Sequence, residues 1–264
     1  MIKVGCSGWS YDEWVGVLYD TSDRKFSQYS KVFDIAEIDS TFYRVPPPSM
    51  AKGLAASSPD GFKFLPKFNR SITHEKMLGK LGDIDADLDA FMLFLKPLQS
   101  SGKLGPSLLQ LPPYFGVEDS PYLFDFLSTI EGRIHVAVEF RNVSIVNDEV
   151  ILKLSDRGIP YVAVDEPLLP PYNFITSDSV YVRFHGHGEK VWFDYKYSDD
   201  ELRPWADRLK KLEEMTSYVL FNNHFHGYAV QNALSFINMT GQMTDAQREV
   251  FERISRSTLA PRLK

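Results

Sequence analysis

Acids and bases recur in this chain at the ends of short apolar runs, where a side chain can be held by the backbone yet meet a ligand. Glu37 and Asp39 close one run, Glu139 and Arg141 a second, Asp165 a third, and Arg183 with His185 a fourth. Lys67, Gln110 and the pair Asn222 and Asn223 occupy the same place on three others. Carboxylates and an imidazole so placed suit general acid/base work, which makes Glu37, Glu139, Asp165 and His185 the candidate catalytic residues. Lys67, Arg141 and Arg183 suit holding an anion or stabilising developing charge. With Gln110, Asn222 and Asn223 as orienting amides, they form the candidate substrate-binding set. A competing reading is structural. Four acids (Glu37, Asp39, Glu139, Asp165) facing three permanent cations (Lys67, Arg141, Arg183) could form an ion-paired plug that fixes strand register.

Five of the six histidines (His74, His185, His187, His224, His226) follow such runs. Grouped at one mouth, they would suit proton transfer, anion binding or metal ligation. The two H-x-H pairs and the four acids supply enough donors on paper for a divalent metal. Glycine-containing loops do not aim both rings of such a pair the same way, and three cations repel a divalent ion. No cofactor is expected, and a metal is kept as the alternative. Paired carboxylates would also meet the demand of a retaining glycosidase, though only scattered aromatics such as Trp9, Tyr11 and Tyr43 point to a sugar. The stretches HGHG (185–188) and NNHFHG (222–227) combine glycine with a following amphipathic segment, a setting in which backbone amides and a helix N-terminus favour phosphate. The expected anion site lies between Arg183, His185 and the loop at 222–227.

The elements that must position these groups are eight β-rich runs: 2–9, 32–42, 61–68, 107–113, 135–141, 159–165, 179–186 and 217–223. Alternation along them puts the polar residues on one face and Val136, Val138, Phe140, Val180, Val182 and Phe184 on the other. Helical patterns fill most gaps. At 85–99, Leu88, Phe91, Met92, Leu95 and Leu98 share a face. Ser198 with Glu201, and Thr244 with Gln247, fit capping boxes that open helices at about 199–215 and 244–256. EPLLPPYN, with three prolines, should be irregular. Eight strands alternating with helices predict an α/β fold, a single (β/α)8 TIM-type barrel over residues 1–264, with the polar groups at the carboxyl ends of the strands. An open doubly wound sheet would want a glycine-rich phosphate turn after the first strand, and GCSGWSY is not one.

Composition agrees with a folded domain: 264 residues, 44% hydrophobic and 24% charged. The net charge of −6 argues against a surface built wholesale for nucleic acid, although a local basic patch is compatible with it. The single cysteine, Cys6, excludes an internal disulfide and reads as a buried, inert thiol. No secretory leader is visible and no run approaches ~18 apolar residues, so a cytoplasmic protein without membrane spans is expected. The oligomeric state is not legible.

Motifs along nearly the whole chain resemble the YecE-like family, known as domain of unknown function 72. They are GCSGWSYDEWVGVLY (5–19), EIDSTFYRVP (37–46), ITH (72–74), LGPSLLQLPPYF (104–115), AVEFRNVS (137–144), YVRFHG (181–186) and FNNHFHGYAVQNA (221–233). The family pattern covers Glu37, Lys67, His74, Gln110, Glu139, Arg141, Asp165, Arg183, His185, Asn222 and Asn223, but not His187 or His226. Ile145 stands where the family usually has tryptophan. The resemblance implies a TIM-type barrel, related in shape to sugar-isomerase and endonuclease IV barrels, with no established activity. The expected function is an enzyme acting on a small anionic, phosphate-bearing substrate by acid/base catalysis. The alternatives are a metal-dependent hydrolase or isomerase, and a non-catalytic barrel that binds nucleic acid or a small ligand.

Overall fold

The computed structural model describes residues 1–170, 174–241 and 243–259. All eight expected runs carry a strand: β1 (Ile2–Ser7), β2 (Ile35–Ile38), β3 (Lys63–Pro66), β4 (Ser107–Gln110), β5 (Val136–Glu139), β6 (Val162–Asp165), β7 (Ser179–Phe184) and β8 (Thr216–Phe221). Among the described residues nine α-helices accompany them: α1 (Lys25–Tyr29), α2 (Ser40–Tyr43), α3 (Pro48–Ser57), α4 (Asp85–Ser100), α5 (Ser120–Ile130), α6 (Asp148–Asp156), α7 (Asp199–Lys210), α8 (Tyr228–Thr240) and α9 (Asp245–Leu259). The strands are shorter than the apolar runs because the chain leaves the ladder early; after β2 it turns directly into α2.

Six strands form one parallel sheet in the order β3-β2-β1-β8-β7-β6, and β4 and β5 form a separate parallel pair. The closed eight-strand ladder expected from the sequence is not formed. Among the described residues, β3 and β4 are joined by the Phe64–Leu104 and Lys67–Leu108 bridges alone, and β5 and β6 by Val138–Tyr161 alone. Proline explains both seams: Pro66 ends β3, while Pro106 and Pro160 stand just before β4 and β6. None of them has an N–H to give a ladder.

Apolar packing has two layers. Ile35, Leu65, Leu108, Ala137, Val162, Val164, Tyr181 and Leu220 form a small cluster on the inner face of the strands. A larger cluster fills the space between strands and helices, where α4 contributes Leu88, Phe91, Phe94, Leu95 and Leu98. Phe94 is buried on the face where Met92 was expected, and Met92 is only half-buried. Both capping boxes form: Ser198 and Glu201 satisfy each other's amides at the start of α7, and Thr244 and Gln247 do so before α9. The proline-rich gap at EPLLPPYN falls partly on residues 171–173, outside the described residues. Among the described residues no helix is long and apolar enough to cross a membrane.

Gly5 marks a tight approach. The Tyr29 hydroxyl sits between β1 and β2, accepting from the Cys6 amide at 2.8 Å and donating to the Ile35 carbonyl at 2.8 Å. A Cβ at Gly5 would lie 2.2 Å from the Ile35 oxygen, whereas one at Gly53 in α3 meets nothing within 4 Å. Gly5→Ala should therefore cost about 1–3 kcal/mol or more through overpacking. Gly53→Ala should add about 0.5–1 kcal/mol by removing helical glycine. Urea unfolding of the two variants checks both signs.

Candidate functional site: a buried ion network at the strand ends

The inner apolar cluster sets the parity of every strand, and the next inward position toward each carboxyl end is polar. On β2, Glu37 follows Ile35; on β4, Gln110 follows Leu108; on β5, Glu139 follows Ala137; on β7, Arg183 follows Tyr181. A charged group there has no water to solvate it, so each must find a counter-charge. Arg183, 1% exposed, does so completely. Its Nε and Nη2 donate to the two Glu37 oxygens at 3.0 and 2.5 Å, and its Nη1 donates to Glu139 Oε2 at 2.7 Å. The Tyr181 hydroxyl adds a third donor to Glu37 at 2.8 Å. Glu139 Oε1 accepts from Arg141 Nε and from Gln110 Nε2, each at 2.6 Å. Arg141 Nη1 continues the chain to Glu166.

The two central carboxyls differ in their partners. Burial pushes both up, but at Glu139 the guanidiniums of Arg141 and Arg183 outweigh it and hold the group well below the usual range. Glu37 has Arg183 alone as a contacting guanidinium, with Asp39 nearby, and burial raises it to about 7.

His185 lies between the cations. Its Nε2 is 2.8 Å from Arg141 Nη2 and 3.2 Å from Arg183 Nη1, both obligate donors, so this nitrogen must carry a lone pair. Its proton then resides on Nδ1, 2.9 Å from the Asn222 amide, which accepts when turned to present its oxygen. Burial and the two arginines hold the ring neutral, well below its ordinary range. His185, expected to exchange a proton with substrate, has both nitrogens engaged within the protein, Nε2 with the two arginines and Nδ1 with Asn222.

The open edge is held more loosely. Asp39 Oδ1 stands 4.0 Å from Lys67 Nζ and 3.9 Å from Arg183 Nη2. Their side chains are 26% and 11% exposed for Asp39 and Lys67. Lys67 lies over the Phe42 ring, 4.3 Å from its centroid. His74 packs edge-on against the same ring, and burial with the nearby Lys67, Arg70 and Arg141 lowers it to about 4.

Two expected site residues are not at the mouth. Asp165 faces outward, accepting from the Tyr197 hydroxyl at 2.8 Å and from Trp205 Nε1 at 3.3 Å, with His187 also on its Oδ1. Asn223 also faces outward, donating to the Tyr195 carbonyl and to Asn232 Oδ1 at 2.8 Å each. Asn232 in turn holds both backbone groups of Tyr197, so this pair fastens the loop before α7. Strand parity gives the reason: counting by two from Val162 and Val164 reaches Glu166, not Asp165, and from Leu220 it reaches Asn222, not Asn223. Glu166 and Tyr181 were missed although that count identifies them.

The histidines do not converge. His224 stacks on Tyr11 at 4.5 Å, and the exposed His226 sits 3.4 Å from Asp194. Among the described residues no three His, Cys, Asp or Glu side chains group as metal ligands. Arg183, around which an anion site was expected, has all three guanidinium nitrogens directed at Glu37 and Glu139. Ile145 is buried in the core between strands and helices. A cavity of about 640 Å³ opens at the opposite end of the strands, lined by Lys63, Arg133, Arg157 and Tyr218, and the network does not reach it.

Removing Arg183 would strand Glu37 and Glu139 without their shared cation. Arg183→Ala should lower stability by roughly 3–5 kcal/mol in urea unfolding; a change near zero would contradict the pairing. His74 should titrate near 4 by NMR. Because its ring binds protons more weakly folded than unfolded, its contribution to stability is full above about 6.5 and is lost as pH falls toward 4. His74→Gln should flatten that part of the stability profile.

The family model described as "Protein of unknown function DUF72" matches residues 3–255. The chain is similar to the UPF0759 protein YunF of Bacillus subtilis, 28% identical over 90% of this chain and 94% of that protein. It is also similar to the UPF0759 protein YecE of Escherichia coli K12, 24% identical over 84% and 85%. Among solved structures, a DUF72 family protein of Thermotoga maritima matches with a TM-score of 0.77 and 33% identity over 91% of this chain and 99% of that one. One from Enterococcus faecalis matches with a TM-score of 0.83 and 23% identity over 93% and 97%. With its motifs in order and the family model spanning nearly all of it, this chain belongs to the DUF72 family.

Proposed function

We propose that the eight βα units work as one (β/α)8-type barrel domain and that the protein is an enzyme acting on a small anionic, phosphate-bearing substrate at the carboxyl ends of the strands. The observation that carries this reading is the contrast within the network. Arg183 and Arg141 are held by carboxylates at hydrogen-bond distance, whereas Lys67 Nζ makes no hydrogen bond among the described residues and stands 4.0 Å from Asp39. A desolvated ammonium with its donors free is suited to an incoming anion, which would gain charge-assisted hydrogen bonds there. Arg141, at the same edge, adds positive field.

Asp39 is the network's most exposed acid and is the group we assign as general base. Glu37, whose two oxygens accept from Arg183 and Tyr181, holds the Arg183 fork beside Asp39. Glu139 and His185 Nε2 hold the arginines and Gln110 Nε2 holds Glu139, so we assign these three as positioning residues. A polynucleotide is the less suited partner: the acids and cations at the mouth nearly balance, and the chain carries a net charge of −6.

Calorimetry at low salt with inorganic phosphate, sulfate and simple phosphate esters tests the reading. Lys67→Met should weaken phosphate binding by roughly tenfold or more, the loss of a charge-assisted hydrogen bond. Asp39→Asn should reduce turnover of any ester found to react by about 10²–10⁴-fold. Unchanged phosphate affinity in Lys67→Met would overturn it. Binding of an oligonucleotide in preference to these anions, with a steep salt dependence, would replace it with a nucleic-acid reading.

A further inference from the structure

The mouth contains a wall that the phosphate reading leaves unused. Ser7 closes β1 in register with Glu37, and Gly5 is likewise paired with inward-facing Ile35, so Ser7 points into the mouth. Its side chain is fully buried, and Oγ has no hydrogen-bond partner among the described residues. Ser107 Oγ and Ser217 Oγ are also unpartnered, but they face the helices, one step out of phase with inward Leu108 and Tyr218. Ser7 is thus the orphaned strand hydroxyl on the ligand side. A buried hydroxyl left without a partner is disfavoured, and natural sites that keep one generally fill it with a ligand atom or a water.

A second orphan lies beside it. His224 Nδ1 is buried and unpartnered, while the ring is stacked on Tyr11, whose hydroxyl donates to the Ser7 carbonyl at 2.7 Å. Asp39 is close enough to raise the pKa of Tyr11 and to oppose the burial that lowers His224. In sheet order these groups run His224 after β8, Ser7 on β1, Asp39 after β2 and Lys67 after β3. Lys67 and Ser7 are therefore two interstrand spacings apart, about 10 Å along the sheet. A neutral donor-acceptor, an imidazole nitrogen and a carboxylate in a row beside an ammonium match hydroxyl groups beside a phosphate.

Resting on the phosphate reading above, we infer that Ser7, His224 and Asp39 form a hydroxyl-recognising subsite, and that the substrate is a polyhydroxylated phosphate ester with its phosphate toward Lys67 and its hydroxyls toward Ser7. The subsite selects such esters over their alkyl counterparts because binding an alkyl chain leaves Ser7 Oγ and His224 Nδ1 unpaired.

The test compares sorbitol phosphate with hexyl phosphate, equal in carbon number and charge, by calorimetry on the wild-type protein, Ser7→Ala and Lys67→Met. Wild type should prefer sorbitol phosphate by about tenfold or more. Ser7→Ala should reduce that preference about fivefold, leaving hexyl phosphate affinity and the thermal midpoint little changed, since the lost hydroxyl bonds no other group among the described residues. Lys67→Met should weaken both esters alike. Equal affinity for the two esters in wild type, or an undiminished preference in Ser7→Ala, overturns the subsite while dependence on Lys67 keeps the phosphate reading standing. Failure of both esters to bind removes the phosphate reading and the subsite with it.

Discussion

Arg183 lies where three strands would otherwise repel or leave charge uncompensated. Its guanidinium is a rigid fork, and its two edges are used for different purposes: one grips Glu37 with both carboxylate oxygens, the other reaches Glu139 across the interior. Without it, two fully buried carboxyls would face each other across an apolar layer. The remaining contacts follow from this one. Glu139, fixed from one side, accepts Arg141 and Gln110 on its other oxygen, and Arg141 then reaches Glu166 and His185. Strand register across the interior is thus specified by directional charge pairs on top of non-directional packing.

The same pairing divides the mouth into a fixed part and an available part. Groups deep in the network have their hydrogen-bonding capacity used up, which makes them poor at meeting a ligand however chemically potent they look in the sequence. The margin is less constrained: there Lys67 and Asp39 are only near-neighbours, and Ser7 Oγ has no hydrogen-bond partner among the described residues. Asp39's exposure, more than its chemical type, distinguishes it from Glu37 and Glu139.

Eight strand positions were legible because each apolar run alternates, and the starts of α7 and α9 were legible because a capping box is a local chemical match between residues three apart. The site was partly legible for the same reason: period-two counting locates Glu37, Gln110, Glu139, Arg183, His185 and Asn222. Choosing Asp165 over Glu166, and adding Asn223, departed from that count. Two features lay beyond local pattern. The partner of Arg183 is 146 positions away in Glu37, so a free cation and a neutralised one look identical in sequence. Ladder closure depends on which neighbour each proline must pair with, and that is known only once the strands are arranged.

The proline seams have a mechanical consequence. They leave β4 and β5 as a two-stranded ribbon joined to the rest of the sheet by isolated bridges. At its carboxyl end the ribbon is latched by side chains: Glu139 is pinned by Arg183 from β7, and Arg141 just beyond β5 is tied to Glu166 just beyond β6. At its amino end the ties are of another kind: the Phe64–Leu104 bridge joins it to β3, Lys63 Nζ donates to the Gly102 carbonyl, and Lys103 Nζ donates to the Ala55 and Ser58 carbonyls, beside the cavity of about 640 Å³. The ribbon is therefore held by ion pairs at the mouth and by lysine-to-carbonyl and bridge contacts at the far end, so the ladder itself carries little of its attachment at either seam.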